Sequence, residues 1–395
     1  MRRGKVWRER GEGSVTTDLE QRLFRVGPKR ILALDGGGVH GVLSLAMLCR
    51  IEAVLARRSA DPETFRLADY FDLIGGTSTG SLIATGLSMG MRAAELLKLY
   101  RELANAVFTR PFWSFGVIGA KFPSEPLEQV LARIVGDMTL DDARLRTGLA
   151  IVTKRLDTRS TWVLHNNPRS RYFEAPADDP QAFPNRRIRV ADAIMASVAA
   201  PTYFEPRFLR VAGTEIGAFV DGGVSPHNNP SLMLLMMATT EGFGYHWRSG
   251  VEHLLLTSMG TGLTRRRRTA DHVRSQPSAM MAVESLVTIV QDSNLQTQAL
   301  LQWMGHSPTA RVINAEIGDL SRDHIPGGDL LWYLRYDAEL SAAWLGTLGI
   351  RVSSDELAAM EHFDRPQTIE RLIEIGEKVA ARDVRDEHFP AGFDV

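Results

Sequence analysis

A serine in a glycine-flanked turn is the first residue whose setting suits chemistry. The segment Gly76-Thr-Ser-Thr-Gly80 matches the pattern G-x-S-x-G. A short apolar run ends just before it and a helical pattern begins just after it, which is the strand–turn–helix context that the pattern requires. Ser78 would then lie at a helix N-terminus, where unpaired N–H groups and the helix dipole stabilise a developing oxyanion. Gly76 and Gly80 would let the strand and the helix pack against this turn. The pattern therefore predicts Ser78 as a nucleophile rather than as part of an ordinary glycine-serine loop.

A second glycine-rich loop precedes the serine turn along the chain. The run Asp35-Gly-Gly-Gly-Val-His-Gly41 also follows a strand pattern and opens a helix. Consecutive glycine N–H groups form anion-binding nests, and beside a nucleophilic serine such a nest serves as an oxyanion hole. Gly36, Gly37 and Gly38 are therefore the predicted oxyanion donors.

The same loop also satisfies the dinucleotide-binding pattern G-x-G-x-x-G. In such folds a ribose-binding acid ends the second strand, about 20 residues on. Here Asp72 lies within the second strand instead, and glycines end it. Asp35 would also bring a negative charge to the place where a pyrophosphate approaches. A non-enzymatic dinucleotide-binding module is therefore the weaker alternative.

A serine hydroxyl needs a base to accept its proton. The segment Phe219-Val-Asp-Gly-Gly223 is a short apolar approach to an acid and two glycines, which puts Asp221 at a strand end. Asp-Gly is also a favoured turn dipeptide, so the residues alone leave a base and a plain turn equally open. A Ser-Asp-His triad on an α/β-hydrolase fold would use His227 or His253 instead. Ser197 lacks flanking glycines, and we interpret it as a packing residue.

The elements around these loops follow an α/β order. Strand, glycine turn and helix occur twice in succession, which is typical of a parallel sheet flanked by helices. Strands are predicted at 30–34, 71–74, 149–153, 162–165, 218–220 and 254–257. Besides the two helices after the glycine turns, helices are predicted at 90–106, 124–135, 190–197, 230–239, 279–303, 354–362 and 367–382.

The composition is that of a globular protein and limits the partner classes. Of 395 residues, 44% are hydrophobic and 24% are charged, and 46 Lys and Arg against 47 Asp and Glu give a net charge of −1. This balance predicts no general attraction to nucleic acid. The single Cys49 excludes an internal disulfide and fits a reducing compartment. No histidine and carboxylate pattern resembles a metal site, so no metal is expected.

No apolar run approaches the ~18 residues of a spanning helix, so we expect a soluble chain whose membrane contact is peripheral. Its predicted divisions are a polar, loosely ordered arm (1–28), a catalytic domain (29–262) and a mainly helical extension packed on that domain (263–395). The aromatic-rich segment 106–122 suits either a lid at a lipid interface or, as the preferred interpretation, a segment folded onto the core. Arg265–Arg268 suits a phosphate site, although a solvated loop is the preferred interpretation.

Four motifs occur in the order and approximate spacing of the patatin-like phospholipases, and the chain resembles that family over residues 29–262. The motifs are Asp35–Gly41, Gly76–Gly80, Ala196–Phe204 and Asp221–Gly223. The resemblance implies a three-layer α/β/α fold with a mainly parallel sheet, and hydrolysis of fatty acyl esters of glycerophospholipids without a cofactor.

The resemblance also assigns roles to the residues of these motifs. It implies a Ser78–Asp221 dyad without histidine and an oxyanion hole from the backbone around Gly37 and Gly38. Many members carry Arg or Lys where this chain has His40. A neutral histidine lacks that fixed positive charge, which weakens the expectation of a phospholipid substrate.

The segments Leu256–Gly262 and Gln367–Ala380 resemble more loosely a bacterial subgroup of this family. That subgroup includes effectors of anti-phage signalling systems, which cyclic dinucleotides switch on to degrade the host membrane. This resemblance implies a cyclic dinucleotide activator and a cytoplasmic protein that associates peripherally with the inner membrane. A homodimer is a further expectation.

Overall fold

The computed structural model describes residues 17–108, 122–264 and 269–395, and one eight-stranded sheet forms the middle layer of the protein. The strands are β1 (Lys29–Leu34), β2 (Leu73–Thr77), β3 (Gly148–Arg155), β4 (Ser160–His165), β5 (Arg207–Ala212), β6 (Glu215–Asp221), β7 (Leu254–Met259) and β8 (Trp332–Tyr336). The helices are α1 (Asp18–Phe24), α2 (Gly41–Ala56), α3 (Leu67–Tyr70), α4 (Thr79–Ser88), α5 (Ala93–Phe108), α6 (Glu125–Ile134), α7 (Val190–Val198), α8 (Ser231–Thr239), α9 (Ala270–Ser275), α10 (Ser278–Met304), α11 (Ala342–Thr347), α12 (Ser354–Met360) and α13 (Ile369–Asp383).

The sheet is mostly parallel, and its strand order is β5-β6-β3-β2-β1-β7-β8, with β4 paired to β3. Neighbouring strands from β3 through β2, β1 and β7 to β8 pair in parallel. β4 and β6 run antiparallel to β3, and β5 runs antiparallel to β6. Because the parallel strands end on one side, the loops that follow β1 and β2 meet at the same edge of the sheet.

Alternate residues of the parallel strands face opposite helical layers. On β1, Leu32 and Leu34 join the core cluster that includes residues of α2, α5 and α13. Ile31 and Ala33 join the cluster on the other face, which includes residues of α8. Strands buried on both faces read as continuous apolar runs, as the first strand does in the sequence. The predicted three-layer α/β/α fold is confirmed.

The helix after the glycine loop is more apolar than the sequence analysis predicts. The segment Gly38–Ala56 has 19 residues and a mean hydropathy of 1.6, so by length and composition it is able to cross a membrane. However, 72% of its most apolar window is buried inside the protein, and α5 and α13 pack against α2. The core helix of a globular protein can have the same length and hydropathy as a spanning helix.

Two parts of the chain differ from their predicted character. Within the described part of the arm, residues 17–28, α1 forms and buries Leu23, and Arg22 donates to the Asp69 carbonyl at 2.7 Å. The expectation of a loose arm is therefore wrong for these residues, and residues 1–16 lie outside the described ranges. The extension expected to be mainly helical contributes β8 to the central sheet. The domain boundaries stay predictions, and the sheet crosses the boundary at 262.

Candidate active site

Ser78 lies in the turn between β2 and α4 with a strained backbone. Its φ is 53° and its ψ is −125°, in a region that residues with a side chain rarely adopt. The flanking glycines explain how the turn packs. A Cβ atom on Gly76 would collide with the backbone of Gly80, and one on Gly80 would collide with the carbonyl of Leu34. The turn therefore presents the serine side chain at the edge of the sheet, as the sequence pattern predicts.

Sheet register brings Asp221 to this serine from 143 residues away. One edge of β3 pairs with β4 along Ala150–Arg155, so β2 and β6 must share the other edge. On that edge β2 ends with Thr77 opposite Val152, and β6 ends with Asp221 opposite Thr153, the next residue of β3. Asp221 thus occupies the position along β3 that β2 vacates where the serine turn leaves the sheet.

The two side chains form a short hydrogen bond. Ser78 Oγ donates to Asp221 Oδ2 at 2.5 Å, and the Gly223 N–H donates to Asp221 Oδ1 at 2.6 Å. Burial raises the pKa of Asp221 to about 6, although both hydrogen bonds oppose this shift. A carboxyl group with this pKa can both accept and return a proton near neutral pH.

Ser197, which the sequence suggests is a packing residue, forms a direct hydrogen bond with Ser78. Its Oγ accepts a hydrogen bond from the Ser78 N–H at 2.8 Å and donates one to the Val152 carbonyl at 2.6 Å. It lies on α7, just before Ala199, whose carbonyl accepts from the Asp221 N–H at 3.0 Å. The sequence signal for this hydrogen bond is a serine at a fully buried helix position, because a buried hydroxyl needs a hydrogen-bond partner.

The glycine loop after β1 supplies two N–H groups beside Ser78. Among the described residues, neither the Gly37 nor the Gly38 N–H has a hydrogen-bond acceptor. The Gly36 N–H instead donates to the Asn228 carbonyl at 3.0 Å. The prediction that Gly36 is an oxyanion donor is therefore wrong, because its N–H is already engaged. Gly37 and Gly38 are the candidates that the geometry leaves.

Side chains behind the loop fix its shape. The Gly38 carbonyl accepts from Thr79 Oγ1 at 2.9 Å and from Tyr100 Oη at 2.7 Å. Gly38 has a φ of 53°, and a Cβ atom there would collide with the carbonyl of Phe363. That same carbonyl accepts from the Val39 N–H at 2.8 Å. The loop is thus held from both the catalytic domain and the C-terminal extension.

A buried ion pair compensates the charge of Asp35, so this charge no longer counts against a pyrophosphate at the loop. Arg335 on β8 donates to Asp35 Oδ1 at 3.0 Å and to Oδ2 at 2.7 Å, and it also donates to Asp337 Oδ2 at 2.7 Å. The charges of Asp35 and Asp337 raise the pKa of Arg335 well above its usual range, against the effect of burial. Asp35 is 3% exposed and is not among the residues that line the cavity described below. Its charge is compensated beneath the loop.

His40, the departure from the family pattern, supports the loop from within. The imidazole is fully buried, its Nδ1 lies 3.0 Å from the Thr261 carbonyl, and it packs edge-on against Phe363. Burial lowers its pKa to about 4, so the ring is neutral at physiological pH. It therefore offers no positive charge to a substrate.

The histidines proposed for a triad do not reach the dyad. The Thr77 hydroxyl bonds the backbone carbonyl of His227, while the buried Nδ1 of that ring has no partner in the described chain. His253 precedes β7, and its carbonyl accepts from the Lys29 N–H at the opposite edge of the sheet. Within residues 17–108, 122–264 and 269–395, neither imidazole bonds to Ser78 or Asp221, and no cluster of His, Cys, Asp and Glu suits a metal ion.

A largely apolar cavity of about 250 Å³ opens onto the dyad. Its walls come from α4, α5, the segment after α7, α10 and the Phe363 loop. Apart from the dyad and the glycine loop, the apolar lining residues are Leu82, Leu103, Ala104, Val107, Phe108, Leu127, Val198, Ala200, Tyr203, Phe204, Val224, Leu263, Val290 and Phe363. This shape and lining suit an extended apolar group whose polar end reaches Ser78.

At one described end of the aromatic-rich segment Phe108 lines this cavity, and at the other end Phe122 packs behind it. Phe108 and Phe122 pack edge-to-face at 5.2 Å, and Phe122 is 3% exposed. Phe122 is therefore folded onto the core, whereas Phe108 is partly buried between the core and the cavity. The rest of that segment, 109–121, and Arg265–Arg268 lie outside the described residues.

Comparison with known proteins identifies the family of this chain. The family model described as patatin-like phospholipase matches residues 32–235. A "cGAMP-activated phospholipase" of Vibrio cholerae is 33% identical over 215 residues, covering 52% of this chain and 56% of that protein. A protein of the same description from Escherichia coli is 31% identical, covering 52% and 55%. "Patatin-like protein 1" of Arabidopsis thaliana is 27% identical, covering 60% and 59%.

The matched region contains the serine turn, the glycine loop and Asp221, and the chain spans little more than half the length of these relatives. The family match itself covers just over half of the 395 residues. On that coverage, the chain belongs to the patatin-like phospholipase family.

Proposed function

We propose that this protein is a serine acyl hydrolase that cleaves fatty acyl esters of membrane glycerophospholipids through a Ser78–Asp221 dyad. The 2.5 Å hydrogen bond from Ser78 to Asp221 carries the proposal, because it joins a nucleophile to a base with no intermediary. The strained serine turn, the two unpaired glycine N–H groups and the apolar cavity support the same chemistry.

In the first half-reaction, the Asp221 carboxylate takes the proton of Ser78 as Oγ attacks the ester carbonyl carbon. The carbonyl oxygen becomes an oxyanion, and the N–H groups of Gly37 and Gly38 stabilise it. The ester C–O bond then breaks, and the protonated Asp221 gives its proton to the departing alkoxide. The products are a lysophospholipid and an acyl ester on Ser78.

In the second half-reaction, Asp221 takes a proton from water as the water oxygen attacks the acyl ester. A second oxyanion forms in the same place, and its collapse breaks the bond to Ser78 Oγ, which regains a proton from Asp221. A fatty acid is released. This cycle needs no histidine, since Asp221 acts as both base and acid.

The proposed substrate class is supported by the cavity and by the names of the relatives. The apolar lining suits an acyl chain, and the relatives from Vibrio cholerae and Escherichia coli are named phospholipases. We further propose that the protein works in the cytoplasm and contacts the inner membrane peripherally, as a homodimer.

The names of the same relatives support a gated activity. Both are called cGAMP-activated, so we propose that a cyclic dinucleotide switches this enzyme on as part of anti-phage defence. A ligand that raises activity must bind the active conformation more tightly than the inactive one.

The test measures fatty acid release from phospholipid liposomes by wild type, Ser78→Ala, Asp221→Asn and His227→Ala, each with and without cGAMP. We expect the first two variants to lose activity and His227→Ala to retain most of it. A histidine variant as inactive as Ser78→Ala would instead support a triad. Full wild-type activity that no cyclic nucleotide changes would contradict the gating.

A further inference from the structure

A larger cavity lies at the opposite edge of the sheet from Ser78. Its volume is about 790 Å³, within the range of about 300–1,000 Å³ that is typical of small-molecule sites. It adjoins the start of β1 and the segment between α8 and β7. The lining residues are Glu20, Leu23, Phe24, Arg25, Val26, Gly27, Lys29, Pro168, Arg169, Gly244, Tyr245, His246, Trp247 and Arg248. The lipid chemistry proposed above uses none of them.

Arg25 and Lys29, which line one wall of this cavity, belong to a cluster of cations around a single carboxylate behind that wall. Asp72 lies 3.1 Å from Arg25, 2.9 Å from Arg30 and 3.8 Å from Arg22. Lys29 adds a fourth cation beside them. Burial lowers the pKa of Lys29 to about 8; the Asp72 charge opposes this, and the arginines add to it. A negatively charged ligand would relieve the repulsion among these cations.

The opposite wall adds cations and a polar group without a partner. Arg248 is exposed and forms no salt bridge with a carboxylate of the described chain, and Arg169 lies 3.7 Å above the Phe24 ring while pairing with Glu20. The Tyr245 hydroxyl is buried, and within the described residues it has no hydrogen-bond partner. A buried hydroxyl in that state is costly, and a ligand atom in the cavity would satisfy it.

We propose that this cavity binds a phosphate-bearing nucleotide of the cyclic dinucleotide class and regulates the Ser78 site. This proposal rests on the gated activity proposed above. Arg25, Arg169 and Arg248 would contact the phosphates, because arginine pairs with phosphate oxygens in a bidentate manner. The partly exposed Phe24 ring, stacked on Tyr245 and covered by Arg169, adds an apolar contact beside these cations.

The sheet provides a direct connection from this cavity to the nucleophile. Asp72 immediately precedes β2, and Ser78 immediately follows it. A phosphate that binds Arg25 would weaken its 3.1 Å ion pair with Asp72. The start of β2 would then shift, and β2 would carry this shift to the strained serine turn at its other end.

The test measures binding on a Ser78→Ala background, so that it does not depend on lipid hydrolysis. Equilibrium dialysis with labelled cGAMP compares this protein with versions that also carry Arg248→Glu, Arg169→Glu or Tyr245→Phe. Because one charge-assisted contact is worth about 1.5–3 kcal/mol, we expect each arginine variant to weaken binding about tenfold or more. Arg210→Glu, an exposed arginine on the edge strand β5, is the matched control and should leave binding unchanged.

Several outcomes would overturn the proposal. The first is no cGAMP binding, and the second is binding that all the cavity variants leave intact. Inorganic pyrophosphate and vesicles of phosphatidylglycerol are run in parallel. If either binds in place of cGAMP and responds to the same variants, the cavity recognises free phosphate or a lipid headgroup and the nucleotide proposal fails. Wild-type protein that binds cGAMP but hydrolyses no liposomes would count only against the acyl hydrolase proposal.

Discussion

Ser197 Oγ lies 2.8 Å from the backbone nitrogen of Ser78 and accepts its hydrogen bond. The same hydroxyl donates to Val152, the β3 residue opposite the last residue of β2. Because Ser78 has a φ of 53°, its backbone carries strain of about 1–3 kcal/mol that surrounding contacts must offset. Ser197 therefore ties the strained turn to the strand that also aligns Asp221.

We expect Ser197→Ala to lower kcat about tenfold or more while changing KM little, since the Ser78 N–H would lose its acceptor and the turn would relax. Ester hydrolysis with a soluble substrate measures both constants. Ser88→Ala, another fully buried serine at the far end of α4, is the control. If both variants lose equal stability and neither loses kcat, Ser197 has only a packing role.

The acylation rate should fall below pH 6. Asp221 must be ionised to accept the Ser78 proton, and burial raises its pKa to about 6. We therefore expect kcat/KM to be flat above this pH and to drop about tenfold per unit well below it. A pH series on wild type and His227→Ala tests this. A shift of the profile in His227→Ala would show that the histidine takes part.

Replacing Gly38 should lower kcat strongly while disturbing the fold little. An alanine at this position would have a disfavoured φ. Its Cβ would collide with the Phe363 carbonyl and so shift the Gly38 N–H, one of the two candidate oxyanion donors. Loss of one such donor lowers kcat about 10²–10³-fold. Gly346→Ala on α11, where a Cβ meets nothing within 4 Å, should leave kcat unchanged. Equal activity of the two variants would argue against the Gly38 N–H as a donor.

Removing Arg335 should destabilise the protein strongly. Arg335→Met leaves Asp35 and Asp337 buried without their counter-ion, which costs about 3–5 kcal/mol of unfolding free energy. Arg57→Met breaks a surface pair with Asp386 and should cost about 1 kcal/mol or less. Urea unfolding followed by circular dichroism compares the two. Equal losses would mean that the buried pair contributes no more than the surface pair.

Narrowing the cavity should change the preferred acyl chain. Leu82 lines both the catalytic cavity and a smaller apolar void behind it. We expect Leu82→Trp to slow hydrolysis of long-chain p-nitrophenyl esters much more than of the acetate. Leu156→Trp, at a side chain 47% exposed, is the control. Uniform slowing on all chain lengths would place the acyl group elsewhere.

The sequence predicts the parts of the site that local rules govern. The serine turn and the glycine loop each combine a glycine pattern with a strand before and a helix after, and both patterns extend over few residues. The Asp-Gly context of Asp221 fits a catalytic base and a plain turn equally well, because its role depends on the pairing of β6 with β3. No local pattern contains that register.

The contacts that the sequence missed are long-range. Arg335 reaches Asp35 across 300 residues, and nothing in the segment around Arg335 distinguishes it from other arginines. The glycine pattern also does not reveal that the Asn228 carbonyl engages the Gly36 N–H and so removes it as an oxyanion donor. β8 was missed because a single short strand within a helical region has too weak a pattern to identify.

The Arg335–Asp35 pair also determines when the glycine loop can form during synthesis of the chain. A nascent chain that ends before β8 contains Ser78 and Asp221 but lacks Arg335, the cation that pairs with Asp35 beneath the glycine loop. It also lacks Phe363, whose carbonyl holds the Val39 N–H. The glycine loop therefore reaches its final form only after the C-terminal extension emerges from the ribosome, so on the proposed function an unfinished chain would be a poor acyl hydrolase.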